Sequence, residues 1–376
     1  MKVLGNWKKI VFTAWALVGG ASLCAGSVPY KVDEGWTIHG PFTQGNLGVF
    51  LIEGKEVVAG DVDFVTLSEG MEKGWVVVHE TGNVNQLSVE NVSADRTVVI
   101  LAGAIVKGGK QDRVLGMDLV LKPKSGKVPV SSFCVEQSRW SARGKENVRQ
   151  FSSNSASVAG KGLRKAVKGG RGQAIVWQEV AQEQKRLSEN VEGDVQQNAS
   201  PTSYQLAVEN KELQKDIAAM KKHFDGVLKD FPGAVGYAVT VNGEFSTADV
   251  YASRGLFRKM WDQHLEGAIT EAISLKKKAT SEQPVDLSWR DKLFKEKAYE
   301  QKVKQDTGGD NDYVAGQSDG FFRYQSSLKD DSGVRVRMSF EKREEGEELN
   351  ALNKADPAET RGQEADLNSL RRVLRR

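Results

Sequence analysis

A succession of short apolar runs between residues 36 and 140 constrains the fold of this chain more than any other feature. The runs TIHGPF, LGVFLIEG, GWVVVHE, VNQLSVENVS, RTVVILAGAIV, VLGMDLVLKP and KVPVSSFCV are rich in β-branched residues. Turn-forming residues such as GN, SAD, KGGK and KPKSG separate them. One short helix is expected at 67–73. The pattern predicts an antiparallel β-rich part over residues 27–142.

Helical and hairpin signals replace this pattern further along the chain. Residues 143–203 favour a loop and helix connector, with helical spacing at 174–190. Residues 204–275 predict a mixed α/β unit. It begins with helical spacing at 204–229, continues with a hairpin at Asn242 and Gly243, and ends with a helix capped by Ser253. The chain as a whole is therefore predicted to have an α+β fold.

Charged residues dominate the C-terminal region. Residues 276–343 combine a charged helical or linking stretch at 276–305 with the runs FFRYQSSL and VRVRMSF, which favour a final strand pair. Residues 344–376 are highly charged and poor in aromatic side chains, a composition typical of disordered segments or solvated helices.

The first 26 residues have the form of a signal peptide. Lys2, Lys8 and Lys9 precede an apolar run at 10–18, and small residues follow it. A membrane-spanning helix needs about 20 apolar residues, and this run is shorter. The sequence therefore predicts cleavage and export, to a periplasm or the exterior, rather than a permanent membrane anchor.

Net charge and cysteine usage exclude several classes of function. The formal charge of +3 equals the three lysines of the predicted signal, so the mature chain is expected to be neutral. Because basic and acidic residues are interspersed, general binding to nucleic acid is not expected. If Cys24 leaves with the signal, Cys134 has no intramolecular partner, and stability must come from a packed core rather than from disulfides.

Two polar motifs are candidates for a ligand site. GGKQDR, at 108–113, offers backbone amides at its glycines together with two cationic side chains. CVEQSRW, at 134–140, offers a thiol, a carboxylate, a guanidinium that can grip phosphate or carboxylate, and an indole that can stack on a ring. The candidate ligand-binding residues are Gly109, Lys110, Gln111, Arg113, Glu136, Arg139 and Trp140.

A predicted hairpin would bring these motifs together. With a two-residue turn at Lys124 and Ser125, Cys134 would lie opposite Leu115 and Glu136 opposite Arg113. The facing Arg113 and Glu136 could serve a ligand site or form a structural ion pair.

Cys134 has two interpretations. Strand parity places it on an apolar face, which favours a buried core thiol. The alternative is a nucleophile with Glu136 as base or orienter, the arrangement of a hydrolase or transferase. The four histidines are scattered, none is near Cys134 in sequence, and their spacing does not predict a metal site.

Several familiar motifs are incomplete. GQSDG, at 316–320, matches GxSxG, but no histidine follows it to complete a triad. GAIVKGGKQ lacks the Ser or Thr of a phosphate loop, and DTGGDND lacks the later Gly and Glu of an EF-hand. KGLRKAVKGGR, at 161–171, has five basic residues and no acid, which favours a solvated loop, or alternatively an anion-binding or lid segment. Within it, LRKAV at 163–167 is a short helix candidate.

Five blocks of the chain resemble one known family. In order they are GGKQDR, DLVLKPKSGKVPVSSFCVEQSRW, FSSNSASVAGKGLRKAV, GQAIVWQEV and VGYAVTVNGEFSTADVYASRGLFRKMW. They resemble the ARG and Rhodanese-Phosphatase-superfamily-associated Protein domain family over about residues 57–273. The family is named for genomic association with ADP-ribosylglycohydrolases and rhodanese-like phosphatases, so the resemblance implies a nucleotide-, ADP-ribose- or phosphate-like ligand.

The family motif falls on particular positions of this chain. They are Gly109, Lys110, Gln111, Arg113, Cys134, Glu136, Arg139 and Trp140. Where family members often have a Gly-Glu pair before the lysine block, this chain has Gly103 and Ala104. Loss of that carboxylate weakens an acid/base role and is more easily tolerated by a binding module.

Three functions are compatible with the sequence. The leading hypothesis is an exported binding module for a small polar or anionic ligand. The alternatives are a hydrolase or transferase using Cys134, and a structural envelope protein whose motifs brace the fold. The sequence indicates no cofactor and no oligomeric state.

Overall fold

The computed structural model describes residues 29–32, 35–58, 64–137, 139–141, 143–144, 149, 151–153, 158–276, 284–330 and 332–349. The predicted signal peptide at 1–26 lies outside these residues, as do residues 350–376 of the predicted tail. The described residues form large antiparallel sheets and a smaller set of helices, which confirms the predicted α+β fold.

The strands are β1 (Tyr30–Val32), β2 (Trp36–Gln44), β3 (Leu47–Glu53), β4 (Phe64–Thr66), β5 (Val76–Glu80), β6 (Gln86–Asn91), β7 (Thr97–Ile100), β8 (Ile105–Gly108), β9 (Arg113–Leu115), β10 (Leu119–Leu121), β11 (Gly126–Cys134), β12 (Phe151–Ser153), β13 (Ala234–Val241), β14 (Glu244–Tyr251), β15 (Glu300–Asp306), β16 (Asn311–Gln317), β17 (Phe321–Leu328) and β18 (Arg335–Lys342). The α-helices are α1 (Leu67–Glu72), α2 (Lys161–Lys168), α3 (Gln173–Asn190), α4 (Tyr204–Val208), α5 (Lys211–Lys221), α6 (Val227–Asp230) and α7 (Arg254–Ser274). Short 3-10 helices occupy Lys222–Phe224, Ser288–Asp291 and Glu296–Ala298.

The largest sheet draws its strands from both ends of the described chain. Its order is β1-β2-β3-β13-β14-β18-β17-β16-β15, and every neighbouring pair is antiparallel. Strand β18, the last in the described chain, lies between β14 and β17. It joins the five strands on one side to the meander of β15, β16 and β17 on the other.

Two smaller sheets complete the β structure. One has the order β12-β8-β9-β11-β6-β5, and the other has the order β10-β7-β4. Only the pairing of β4 with β7 is parallel among the described strands. Because β9 and β11 are neighbours in the six-stranded sheet, the two polar motifs of the sequence lie side by side there.

Both faces of the large sheet are covered. Helix α7 packs its apolar side chains against β3 and β13 in one core. The opposite face carries an aromatic core in which Trp289 and Phe294 cover Phe50 and Phe340. No helix among the described residues is long and apolar enough to cross a membrane.

The local signals of the second half are confirmed. Strands β13 and β14 form the predicted hairpin, with Asn242 and Gly243 at φ of +52° and +80° in its turn. The Ser253 hydroxyl accepts a hydrogen bond of 3.2 Å from the amide of Leu256 and so caps α7. The predicted final strand pair is also present, as β17 and β18.

Two predictions of secondary structure need correction. The single helical segment expected at 204–229 is divided into α4, α5 and α6. Asn210 caps the start of α5, and Gly226, with a φ of +90°, precedes α6. The charged stretch expected to be helical or linking at 276–305 contains most of β15, which its charged sequence did not indicate.

The prediction of a solvated loop at 161–171 is wrong, whereas the helix candidate at 163–167 within it is confirmed. Most of the segment forms α2, and Arg164, Lys165 and Lys168 are only 4%, 7% and 1% exposed. Carboxylates from the far C-terminal end of the described chain meet these cations, a partnership that local sequence does not reveal.

The predicted hairpin with a turn at Lys124 and Ser125 is also wrong. Strand β10 pairs with β7, whereas β11 pairs with β6 and β9 in a different sheet. The Asn91 amide donates hydrogen bonds of 3.0 Å to the carbonyls of Leu121 and Lys122. These bonds hold the end of β10 away from β11, so the chain passes between sheets at this point.

Candidate functional site

The GGKQDR motif forms the connection between β8 and β9. Gly109 has a φ of +57°, and a Cβ atom there would lie 2.4 Å from the ring of Phe151. Only glycine therefore fits this turn. Strand β11 runs beside β9 with Cys134 opposite Arg113, rather than opposite Leu115 as predicted. The two motifs are thus brought together through a different register.

Four charged side chains form a buried cluster at this end of the sheet. Asp112 and Glu136 are both fully buried. Arg139 lies 2.6 Å from Glu136 and 3.3 Å from Asp112, measured between guanidinium nitrogen and carboxylate oxygen. Arg143 contacts the same two carboxylates at 3.2 and 3.1 Å. Each acid therefore meets both arginines, an arrangement that offsets the cost of burying the charges.

Further hydrogen bonds saturate the two carboxylates. The Ser203 hydroxyl donates to Asp112 at 3.1 Å, and the amide of Gly108 donates at 2.9 Å. The amide of Asp112 in turn donates to Glu136 at 3.2 Å. The cluster ties the β8–β9 turn, the chain after β11 and the start of α4 together, so we call Asp112, Glu136, Arg139 and Arg143 the brace.

Arg113 does not pair with Glu136, which corrects the ion pair expected from the hairpin. Its fully buried guanidinium lies 3.8 Å from Glu80 and donates to the side-chain oxygen of Gln111 at 3.2 Å. Gln111 also donates to the Glu136 carbonyl at 2.7 Å. Both residues are therefore engaged inside the protein rather than at its surface.

Lys110 and Trp140 form the accessible part of the predicted site. Both are half-buried. The Lys110 ammonium lies 4.8 Å from the centroid of the Trp140 ring and forms no ion pair within the described chain. The guanidinium of Arg113 lies 5.8 Å from the same ring. A cation and an aromatic ring thus stand together directly beside the brace.

Cys134 is a core residue. It is 1% exposed, and burial raises the pKa of its thiol to about 11. Its backbone amide and carbonyl are both bonded to the side chain of Gln173, each at 2.8 Å. A buried thiol that stays protonated at neutral pH is a poor nucleophile, so the geometry disfavours the enzyme hypothesis built on Cys134.

A second concentration of polar groups lies on one face of the large sheet. Asp249 of β14, Ser339 of β18 and Tyr324 of β17 occupy one row of neighbouring strands. We call the buried polar side chains of this face the polar layer. Its members on the sheet are Asp249, Tyr313, Tyr324, Ser326, Arg337, Ser339 and Glu341.

Arg337 is at the centre of the polar layer. Its guanidinium lies 2.7 Å from Asp118, in the chain just before β10, and 2.6 Å from Asp249. Burial opposes ionisation of Asp249, but the charge of Arg337 outweighs it and holds the pKa of that carboxyl well below its usual range. The result is a fixed charge triplet that links two sheets.

His264 of α7 closes the layer on one side. Tyr237 lies 3.0 Å from its Nδ1 and Tyr251 lies 2.5 Å from its Nε2, so both ring nitrogens are satisfied. Burial lowers the pKa of His264 to about 3. The imidazole is therefore neutral at physiological pH and forms part of a hydrogen-bonded interior.

Helix α2 covers the layer and contributes cations to it. The Lys168 ammonium donates to the Ser339 hydroxyl and to Glu341, each at 2.9 Å. Arg164 lies 3.5 Å from the same oxygen of Glu341. Burial lowers the pKa of Lys168, whereas for Glu341 the two cations outweigh burial and lower the carboxyl pKa.

Sequence reasoning missed the polar layer for an identifiable reason. In VRVRMSFEK the polar side chains of Arg337, Ser339 and Glu341 alternate with apolar ones. Such alternation is usually the mark of a strand with one solvated face. The cations of KGLRKAVKGGR were a second signal of the polar layer, because a basic helix can cover a strand that carries a carboxylate. Nothing in the sequence shows that these two segments are neighbours.

Comparison with known proteins identifies the family. The family described as the ARG and Rhodanese-Phosphatase-superfamily-associated Protein domain matches residues 35–339. No curated protein and no solved structure matches the chain. The matched span includes the brace, the Lys110–Trp140 pair and all of the polar layer except Glu341. The chain therefore belongs to the ARG and Rhodanese-Phosphatase-superfamily-associated Protein domain family.

Proposed function

We propose that this protein is an exported binding module for a small anionic ligand, with Lys110 and Trp140 as the contact residues. The observation that carries the proposal is the half-buried pair they form, with the ammonium 4.8 Å from the ring centroid. Export is proposed from the N-terminal sequence alone, and a nucleotide- or ADP-ribose-like ligand from the family resemblance.

The chemistry of the pair fits such a ligand. An ammonium group is a compact point charge that binds phosphate well. Interaction with the Trp140 ring contributes about 0.5–1 kcal/mol at exposed sites and limits the positions of the Lys110 ammonium. Because no carboxylate neutralises this ammonium in the described chain, its hydrogen-bond donors remain available to an anion.

The brace supports the pair without contacting the ligand in this proposal. Asp112 and Glu136 are saturated by arginines and backbone amides. They hold the β8–β9 turn, which carries Lys110, against the segment that carries Trp140. A binding pair held by a rigid support loses little conformational entropy when the ligand arrives.

Calorimetric titration of the full chain with ADP-ribose, AMP and inorganic phosphate tests the proposal. We expect Lys110→Ala to weaken binding of the phosphate-containing probes about tenfold or more, because a hydrogen bond to a charged group contributes about 1.5–3 kcal/mol. Trp140→Ala should weaken the two nucleotides more than inorganic phosphate, since only the nucleotides have a base to stack.

The matched control is Lys127→Ala. Lys127 is an exposed lysine of β11, in the same sheet, and its replacement should leave all affinities unchanged. If Lys110→Ala binds every probe as tightly as the Lys127 control, or if none of the probes binds the unaltered protein, the proposed site is wrong.

A further inference from the structure

An open cleft at one end of the large sheet has room for a small molecule. Its volume is about 430 Å³, and it is lined by the turn at 316–320 and by the segment at 292–300. Ligand sites usually measure about 300–1,000 Å³. Two other clefts in the described chain hold only about 10 and 30 Å³, room for no more than a few water molecules. The turn is the GQSDG sequence, which has no part in the Lys110–Trp140 site.

The segment at 292–300 contributes two cationic side chains to the cleft. Lys292 and Lys295 line it, are exposed, and form no ion pair within the described residues. The backbone between them is fixed, because Leu293 and Phe294 are buried in the aromatic core on this face of the sheet. The cleft therefore has two ammonium groups that are available to an anion.

The turn at 316–320 contributes a carboxylate. Asp319 lines the cleft, is exposed, and has no ion-pair partner in the part of the chain that the structure describes. Arg343 fixes this turn, since its backbone amide donates to the Gly320 carbonyl at 2.8 Å and its guanidinium donates to the Ser318 carbonyl at 3.1 Å. Glu348 neutralises Arg343 at 2.7 Å. Asp319 is therefore the available charge on a turn that is already in place.

Charge balance selects the class of ligand. Glu300, the other acid of the lining, is already paired with Lys302 at 2.7 Å. The available groups are two ammonium groups and one carboxylate, which together have a net charge of +1. A ligand with two carboxylates and one ammonium group complements them. A dicarboxylate without the ammonium group would leave Asp319 unmatched, and a neutral amino acid would leave one lysine unmatched.

Phe321 adds apolar surface to the cleft. Its side chain is 8% exposed and packs edge-to-face against Phe245, with the ring centroids 5.4 Å apart. Such a ring can contact the methylene groups of a ligand. We infer that the cleft is a second ligand site, which binds an acidic amino acid of the glutamate and aspartate class. The two carboxylates of the ligand lie at Lys292 and Lys295, and its ammonium group lies at Asp319.

Binding at this site should be weak and dependent on salt. The three charged side chains are exposed, and an ion pair between exposed groups changes an affinity by only about twofold to fivefold. Dissolved salt screens such pairs further. The informative quantity is therefore the ratio of the affinities for close analogues at low ionic strength.

Ligand-observed NMR titration of the full chain with L-glutamate, L-glutamine, glutarate and D-glucuronate tests the inference. Glutamine lacks the second carboxylate, glutarate lacks the ammonium group, and glucuronate has hydroxyls in place of the ammonium group. We expect L-glutamate to bind about twofold to fivefold more tightly than each of the others. The double variant Lys292→Gln with Lys295→Gln should remove or reverse the preference for glutamate over glutamine. Asp319→Asn should remove or reverse the preference for glutamate over glutarate.

The matched control is Lys297→Gln. Lys297 is an exposed lysine of the same segment that does not line the cleft, so its replacement should leave every affinity unchanged. The inference is overturned if L-glutamate does not bind the unaltered protein, if glutarate or D-glucuronate binds as tightly as L-glutamate, or if the double variant keeps the preference of the unaltered protein. Lys110→Ala should retain glutamate binding, so this site and the Lys110–Trp140 site can fail separately.

Discussion

The stability of this protein should depend on pH through Glu183 of α3. This residue is 3% exposed, and burial raises the pKa of its carboxyl from 4.5 to about 7. Well below pH 4.5 the carboxyl is protonated in both the folded and the unfolded chain. As the pH rises to 7 the unfolded chain loses this proton first, so folding stability falls, and above pH 7 the loss is complete. A pKa change of this size corresponds to about 3 kcal/mol.

Glu183→Gln isolates this effect. The amide stays neutral at every pH, and its oxygen can still accept the 3.1 Å hydrogen bond from the Tyr204 hydroxyl. We expect the variant and the unaltered protein to have similar stability at pH 4.5, and the variant to be more stable by about 3 kcal/mol at pH 8.

Urea unfolding at pH 4.5, 6 and 8 measures the difference. Glu189→Gln, which removes an exposed carboxylate from the same helix, is the control and should follow the unaltered protein at every pH. A constant difference between Glu183→Gln and the unaltered protein across this range would refute the reasoning, because the raised pKa requires the difference to grow with pH.

Three further predictions concern other titratable side chains. Cys134, with its pKa raised to about 11, should resist iodoacetamide at pH 8 in the folded protein and react after unfolding; rapid labelling of the folded chain would contradict a core thiol. Lys168→Met should cost about 3–5 kcal/mol in urea unfolding, because it strips Glu341 of its closest cation, whereas Lys127→Met at the surface should stay within about 0.5 kcal/mol. For Glu347, hydrogen bonds from neighbouring cations outweigh burial and lower the pKa to about 2, so its stabilisation is complete above pH 4.5 and lost as the pH falls towards 2. Acid unfolding of Glu347→Gln should therefore be less steep over that interval, and parallel curves would show that Lys165 and Arg171 do not hold Glu347 by charge.

Local features of the fold were predictable because their causes are local. A turn of Asn242 and Gly243 needs only two residues that tolerate positive φ, and a Ser253 cap needs only the amides that follow it. The adjacency of the two polar motifs was also predicted. The partner of each strand was not, because the end of β10 is bonded by the side chain of Asn91, a residue distant in sequence from the expected turn.

The sequence alone could not show which residues of the candidate site are accessible to a ligand and which are buried in the brace. Lys110 and Glu136 belong to equally polar motifs, yet one is half-buried beside an aromatic ring and the other is fully buried between two arginines. Burial depends on which elements cover a strand, and α2 and α4 come from later in the chain. Arg143, in the predicted connector, was missed for the same reason.

The position of β18 has a consequence for how the protein is made. During synthesis, β14 and β17 both emerge before the strand that separates them, so each first has an open edge of unpaired backbone amides and carbonyls. The same late strand delivers Arg337, and until it arrives Asp118 and Asp249 lack the cation that neutralises them. The large sheet can therefore be completed only after residues 335–342 have been synthesised. Chains that end before residue 335 should retain both exposed edges and depend on chaperones to avoid aggregation.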